Sequence, residues 1–256
     1  MDEKYFLNNL SVISHEMQTP INLISATAQL INFQIENKLS SESEVIEYMD
    51  NIINNCNKIS MMISNLTDLN TLSISKKEYV NSEEFFNVFC KNIAPYCKES
   101  DVKLKSIFEC KKEYILISVN TTERILLNLI TNAIKYNDKN NKKITLKMYN
   151  DENNIFFSVK DNGIGIAKEN IEKITKRFFR VNNNYSKGFG IGLALVKESL
   201  DLMGGNINIK SQLKKGTEII ISIPSSDYDT FISGELNYVY RPEKSNFDIE
   251  FAQLKP

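Results

Sequence analysis

The sequence predicts an α-helical hairpin over residues 1–75 followed by a two-layer α/β sandwich over residues 76–224, and three observations lead there. The first 75 residues contain no glycine and a single proline. Their apolar side chains recur with a seven-residue rhythm, the signature of helices that pack along a seam. From about Tyr79 that rhythm gives way to short apolar–polar alternations mixed with longer helical patterns, as expected for a sheet covered by helices.

In the first helix Leu7, Ser14, Ile21, Ala28 and Ile35 share one heptad position, and Leu10, Met17, Ile24 and Ile31 the other. The polar break NKLSSES at 37–43 ends it, and Ser41 or Ser43 is placed to cap the next helix. There Val45, Ile52, Ile59 and Leu66 repeat on one position, with Met49, Cys56 and Ile63 on the other. Two helices with a short connection fold back antiparallel. One hairpin covers only part of each stripe, so a homodimer in which two copies build a four-helix bundle is expected.

The sandwich is predicted as a strand at 78–80, a helix at 82–98, strands at 102–108 and 113–119, and a helix at 121–136 capped by Thr121. Strands at 142–149 and 154–160 flank the turn NDENN. A glycine-bearing loop at 161–167 leads to a short helix, an irregular stretch at 176–189 and a helix at 190–203. Strands at 206–212 and 217–223 hinge at KKG, and the sheet is expected to be largely antiparallel. The tail, 225–256, shows no period and carries no functional signal.

Composition narrows the function. A formal charge of −1 offers no basic excess for a nucleic-acid backbone, so no nucleic-acid partner is expected. Four cysteines without CxxC or metal spacing read as free thiols of a reducing compartment. His15 is the sole histidine, which excludes a histidine-rich metal site. No apolar run approaches the roughly 18 residues of a spanning helix, and the start lacks a signal-peptide pattern. The chain is expected in the cytoplasm, with room for an upstream sensor or membrane-anchored segment outside it.

His15 sits in SHEMQTPIN, residues 14–22, beside the seam. Thr19 and Asn22 share its helix face, and Pro20 cannot donate to the Glu16 carbonyl, so a local bend is expected after the histidine. In ERILLNLITNAIKYN, Asn128 and Asn132 stand four apart on one face of an otherwise apolar helix and offer neutral oxygens to a hard cation such as Mg²⁺. Lys135 and Tyr136 add a cation for phosphate and a ring for a base. In DNGIGIA, Asp161 can accept from an exocyclic amine, while Gly163 and Gly165 allow a planar ligand close to the backbone. GFGIGLALV spaces Gly188, Gly190 and Gly192 just before a helix, where successive amides can hold phosphate oxygens. It is neither a Rossmann fingerprint, which needs a preceding strand, nor a Walker loop, which needs GK[ST].

A histidine box, an asparagine box, a DxGxG turn, an RFFR segment and a GxGxGL helix start, in that order, resemble the sensor histidine kinases of two-component systems. The resemblance covers about residues 5–224 and implies a sandwich of the GHKL ATPase type. It implies that ATP phosphorylates His15 and that an aspartate on a response regulator receiver domain then takes the phosphoryl group, with dephosphorylation of that aspartate as a further activity. By the same resemblance Glu16 would orient the imidazole and take its proton. Thr19 would position water for dephosphorylation. Asn132, and less directly Asn128, would hold Mg²⁺. Lys135 would contact phosphate, Tyr136 would lie against the base, Asp161 would read the adenine amine, and Thr217 would sit near adenine. Gly163, Gly165, Gly188, Gly190, Gly192 and Leu193 would line the nucleotide. Residues 168–189 would form a lid anchored by Phe178 and Phe179, with Arg180 or Lys187 reaching phosphate. Ser11, Gln18 and Asn22 are candidates for regulator docking. The chain departs from the family at Gln18, where a basic residue is usual, at Thr175 and Lys176, where a phenylalanine and an acid are frequent, and in its short lid. The alternative is a GHKL ATPase that uses ATP for conformational gating without a phosphoprotein, which leaves HEMQTP and the heptads unexplained.

Overall fold

The fold is taken from a computed structural model that describes residues 3–37, 41–71, 74–181, 190–225, 240–242 and 244–254. Two long helices, α1 (Glu3–Glu36) and α2 (Glu42–Thr71), form the hairpin. Ser41 caps α2 through a reciprocal box: its Oγ accepts from Glu44 N (3.3 Å) and its own N donates to Glu44 Oε2 (2.9 Å). Pro20 lies inside α1, yet the helix continues unbroken through it. Its missing donor removes one bond, while the neighbouring turns keep theirs.

The heptad stripe divides in two. Met17, Ile24, Ile31, Val45, Ile52 and Ile59 are half-buried, whereas Ile21, Ile35, Met49, Cys56 and Ile63 are exposed on the single chain. Ser14 is exposed as well, and its neighbour Ile13 is the buried residue there. Ile13 turns to the sandwich, as described below. The side chains of Leu7, Leu10, Ser11 and Leu66 lie outside the described residues.

The sandwich holds a five-stranded sheet in the order β2–β4–β5–β7–β6, made of β2 (Val102–Glu109), β4 (Lys142–Asn150), β5 (Asn154–Asp161), β6 (Asn206–Gln212) and β7 (Gly216–Pro224). Only β2 and β4 run parallel, so the sheet is mixed, with three antiparallel pairings. The predicted strand 113–119 is shorter, β3 (Tyr114–Ile117), and pairs with β1 (Glu78–Asn81) in a separate ribbon. Helices α3 (Ser82–Glu99), α4 (Val119–Lys135) and α5 (Gly192–Leu202) cover the sheet. Their buried stripes, among them Phe85, Phe89, Ile93, Leu126, Leu129, Ile130 and Leu200, meet the inward side chains Ile144, Leu146, Phe157 and Ile221 in one core.

Asn81 caps α3 by accepting from Glu84 N (3.0 Å). For α4 the expected cap was Thr121, but the helix starts two residues earlier with Ser118 at its cap position. The Thr121 hydroxyl instead bonds Ser118 Oγ (2.8 Å) and Ser75 Oγ (3.3 Å), tying the connection after α2 to this helix start. The expected short helix after 167 is a single 3-10 turn, Lys168–Asn170, followed by further turns.

The aperiodic tail contains a sixth helix, α6 (Lys244–Phe251), and a 3-10 turn, Ala252–Leu254, packed against α2, α3 and α4. Glu250 is 8% exposed there. Burial raises its carboxyl to about 7, although Arg124 opposes the shift. A folded carboxyl raised above its unfolded value keeps a proton that the unfolded chain has already released. That stability is present below about pH 4.5 and is lost as pH rises through about 7, a difference of about 3 kcal/mol at most. The melting temperature of the wild type should therefore fall more steeply between pH 5 and 7.5 than that of Glu250→Gln; parallel slopes would show that Glu250 does not titrate in this window.

Candidate functional site

One cavity of about 650 Å³ lies where the hairpin meets the sandwich. Its hairpin wall comes from α1, through His15, Glu16, Thr19 and the buried Pro20, and from α2, through Asn55, Lys58 and Asn65. These sit together because the two helices run antiparallel, which brings the middle of α2 level with the histidine box. His15 is exposed to the cavity side rather than packed in the seam. The Thr19 hydroxyl donates to the His15 carbonyl (3.2 Å), one helical turn back.

The sandwich wall begins with α4. Asn128 and Asn132 face the cavity, and Asn132 Nδ2 donates to Asn128 Oδ1 (2.9 Å). That bond uses the amide end of Asn132 and the oxygen of Asn128, so the Asn132 oxygen is the acceptor this pair presents to a ligand. Among the described residues no cluster of three or more His, Cys, Asp or Glu could hold a metal. The residues that could hold a hard cation here are Asn132 and Asn128, whose neutral oxygens suit Mg²⁺ together with phosphate and water ligands. Lys135 and Tyr136 line the same wall, with Lys135 Nζ 5.4 Å from the Tyr136 ring centroid.

Asp161 ends β5 and is fixed from two sides. Its Oδ1 accepts from Gly163 N (2.7 Å) and Thr217 N (3.2 Å). Burial raises the Asp161 carboxyl above its ordinary range, and the two amides pull it part of the way back. With Oδ1 engaged, Oδ2 is the atom left for a ligand, a desolvated acceptor suited to an amine donor. Thr217 lines the cavity beside it, and Ser211 Oγ bonds both Thr217 Oγ1 (2.8 Å) and Ile166 N (2.8 Å), closing the turn around the site.

The glycines of this turn also serve the fold. A Cβ at Gly163 would lie 2.3 Å from the Tyr136 carbonyl oxygen, and one at Gly165 2.0 Å from that of Gln212. Both glycines admit neighbouring backbone on the side that a Cβ would occupy. Gly165 still lines the cavity, whereas Gly163 does not.

Gly190, Gly192 and Leu193 line the cavity at the start of α5. Gly192 lets α5 meet α4, since a Cβ would lie 2.6 Å from Asn128 Nδ2. Phe178 holds the RFFR turn: its N donates to the Gly190 carbonyl (2.9 Å) and its side chain enters an apolar joint with Ile13, Met17, Met62, Ile191 and Leu195. Phe179 and Arg180 line the cavity, and Arg180 Nη1 lies 3.5 Å from Glu16 Oε1, linking this turn to the residue after the histidine. Lys187 and Gly188 lie outside the described residues.

Two participants carried no usable sequence signal, and neither did the partner of a third. Arg177 grips Glu198 on α5 with Nε–Oε1 at 2.5 Å and Nη2–Oε2 at 2.7 Å, a fork that sets the RFFR turn, but the two residues are 21 apart with no pattern between them. Lys58 reads in sequence as an ordinary helix-surface cation, yet it lines the cavity. Ile13 falls off the heptad and is buried by the sandwich.

Comparison with known proteins agrees with this layout. Residues 8–73 match the His Kinase A (phospho-acceptor) domain, and residues 117–227 match the histidine kinase-, DNA gyrase B-, and HSP90-like ATPase. The chain is similar to the sensor protein RprX of Bacteroides fragilis, with 28% identity over 229 residues covering 86% of this chain and 43% of that protein. It is also similar to the sensor protein SrrB of Staphylococcus aureus, with 27% identity over 235 residues, 88% of this chain and 38% of that protein. It thus spans less than half the length of these curated relatives. In fold it resembles full-length ShkA, crystallised in complex with AMPPNP, with a TM-score of 0.62 at 22% identity over 86% of this chain and 46% of that one. It likewise resembles the histidine kinase ThkA, crystallised in complex with the response regulator protein TrrA, with a TM-score of 0.60 at 19% identity over 85% and 61%.

Proposed function

This chain belongs to the sensor histidine kinases of two-component systems, and from that premise we propose that it transfers the terminal phosphoryl group of ATP to His15 and then to an aspartate of a response regulator. The observation that carries the proposal is the shared cavity, in which the only imidazole of the chain lies opposite the asparagine pair, Asp161 and the glycine-spaced start of α5. In the transfer, a lone pair on a His15 ring nitrogen forms the N–P bond as the bond from phosphorus to the bridging oxygen of ADP breaks. The proton on the other ring nitrogen passes to Glu16, which Arg180 holds at 3.5 Å until phosphate draws the guanidinium away. Asp161 accepts from the adenine amine, Tyr136 lies along the base, and Lys135 and Arg180 meet phosphate oxygens. Asn132, supported by Asn128, would hold Mg²⁺, whose charge neutralises that developing on the phosphates. Thr19 would align water for return hydrolysis once its hydroxyl leaves the His15 carbonyl.

The division of labour follows: 1–75 for dimerisation and phosphoacceptance, 76–224 for nucleotide binding. ThkA's complex with a response regulator protein supports a receiver partner here, and the exposed Gln18 and Asn22 beside His15 suit its docking. Incubation with γ-labelled ATP and Mg²⁺ tests the proposal. Label that survives alkali and disappears in acid supports a phosphoimidazole, whereas ATP hydrolysis with no labelled protein would favour the gating ATPase instead.

A homodimer is part of the same proposal. Phe33, Ile35, Ile46, Met49 and Ile53 are all more than half exposed on the single hairpin, an apolar strip that water covers at a cost and a second hairpin would bury. Among the described residues no helix is long and apolar enough to cross a membrane. Ile53→Lys should halve the mass measured by light scattering; an unchanged mass would remove this strip from the interface.

A further inference from the structure

We propose that the C-terminal segment 240–254, acting with Arg124, is a positioning strap that holds the nucleotide wall of the cavity against α2 and so sets how closely ATP approaches His15. The inference rests on the phosphoryl-transfer reading and adds the element that governs the approach.

The strap is fixed to the sandwich by aromatic packing. Tyr240, Phe247 and Phe251 are all buried. Phe247 packs on Phe89 with centroids 6.0 Å apart, and Phe251 stacks on Tyr96 at 4.4 Å. The Tyr96 hydroxyl donates to Asp248 Oδ1 (2.6 Å). Three buried aromatics bind a short segment too firmly for it to lie loosely on the surface.

Two adjacent residues in the first turns of α4 then join the strap to the hairpin. Glu123 is buried and accepts from the Tyr240 hydroxyl and from Asn246 Nδ2 (3.4 Å). Arg124 reaches the other way: its Nη2 donates to Ser64 Oγ (3.2 Å) and lies 3.5 Å from Asn65 Oδ1, both on α2. It also attracts the buried Glu250 of α6. Arg124 is half-buried there, so its guanidinium relies on these partners, and the strap and Arg124 support one another. Meanwhile α6 and the turn after it pack directly on α2.

The same helix, α4, carries Asn128 and Asn132 one and two turns further on, and Asn65 lines the cavity itself. The strap is thus bonded to both walls of the site at one end of α4. Holding two reacting groups on one frame raises their effective concentration without altering affinity for either. That separates a positioning role from a binding role.

The test compares the wild type with Arg124→Gln and with a chain ending at residue 239, measuring kcat and KM for ATP in His15 labelling and backbone hydrogen exchange. In both variants kcat should fall about tenfold or more while KM for ATP stays within about twofold. Exchange should quicken at 190–195, where the hairpin covers α5, with β5 unchanged. An unaltered or raised kcat in folded Arg124→Gln would overturn the proposal, as would exchange in β5 that rises in step, since the segment would then merely stabilise the sandwich. Should the wild type place no label on His15, the phosphoryl-transfer reading fails, and the exchange comparison still decides the strap.

Discussion

Replacing His15 by glutamine should abolish incorporation of phosphate from γ-labelled ATP while leaving nucleotide affinity within about twofold of wild type, because removal of the nucleophile eliminates the covalent step and leaves the binding groups in place. The expectation is sharp for this chain because there is no second imidazole to take over. The site of the change favours a clean result. His15 is exposed on the cavity side of α1 and contributes nothing to the buried joint, which is built by Ile13 and Met17 on the same helix. Glutamine keeps helix propensity and approximate length, so the melting temperature should be retained. Label that persisted in His15→Gln would locate the phosphate elsewhere and would remove the histidine from the mechanism.

The second large effect is expected at Asp161. Its two oxygens divide their work: Oδ1 holds the Gly163 and Thr217 amides, and Oδ2 is left for the ligand. Asp161→Asn preserves an oxygen for those amides and keeps the turn, but loses the charged acceptor for the adenine amine. A hydrogen bond to a charged group contributes about 1.5–3 kcal/mol, so affinity for a fluorescent ATP analogue should fall about 10- to 150-fold. GTP should lose much less, because its base presents a carbonyl where adenine presents the amine. Equal losses for the two nucleotides would mean that Asp161 supports the turn and does not read the base.

What the sequence disclosed and what it did not follows from how far each interaction reaches along the chain. The heptads, the asparagine pair four residues apart and the capping serine at 41 are local, and a period of 3.5 or 3.6 displays them directly. The element order of the sandwich was legible for the same reason, since β4 and β5 alternate around one turn. The pairing of β3 with β1 was not, because a strand of four residues carries too little pattern to choose its partner. Thr121 looked like a cap because hydroxyl residues favour that place, but a contact with Ser75, 46 positions away, claimed its hydroxyl. Gly163 and Gly165 were legible as necessary glycines, but the backbone of Tyr136 and Gln212 packed against them was not, since sequence does not say which neighbour occupies the space they leave.

The docking of hairpin on sandwich was the least visible feature. It depends on Ile13, Met62, Ile191 and Leu195 meeting across gaps of 49 or more residues, apart from the last pair, and on Arg180 reaching Glu16 over 164. No periodicity encodes such contacts. The tail illustrates the same limit from the other side. In α6 the buried residues Phe247, Glu250 and Phe251 lie three and four apart on one face, but an acid stands among them and the helix spans only Lys244–Phe251, so no apolar stripe is long enough to read.

The most direct measurement is a crystal structure of this chain with a non-hydrolysable ATP analogue and Mg²⁺. Adenine is expected against Asp161, the cation on Asn132, and the terminal phosphorus about 3–4 Å from a His15 ring nitrogen, with the leaving oxygen opposite that nitrogen. A triphosphate bound outside the cavity, or one whose terminal phosphate points away from His15 with the hairpin still docked, would contradict the proposed transfer.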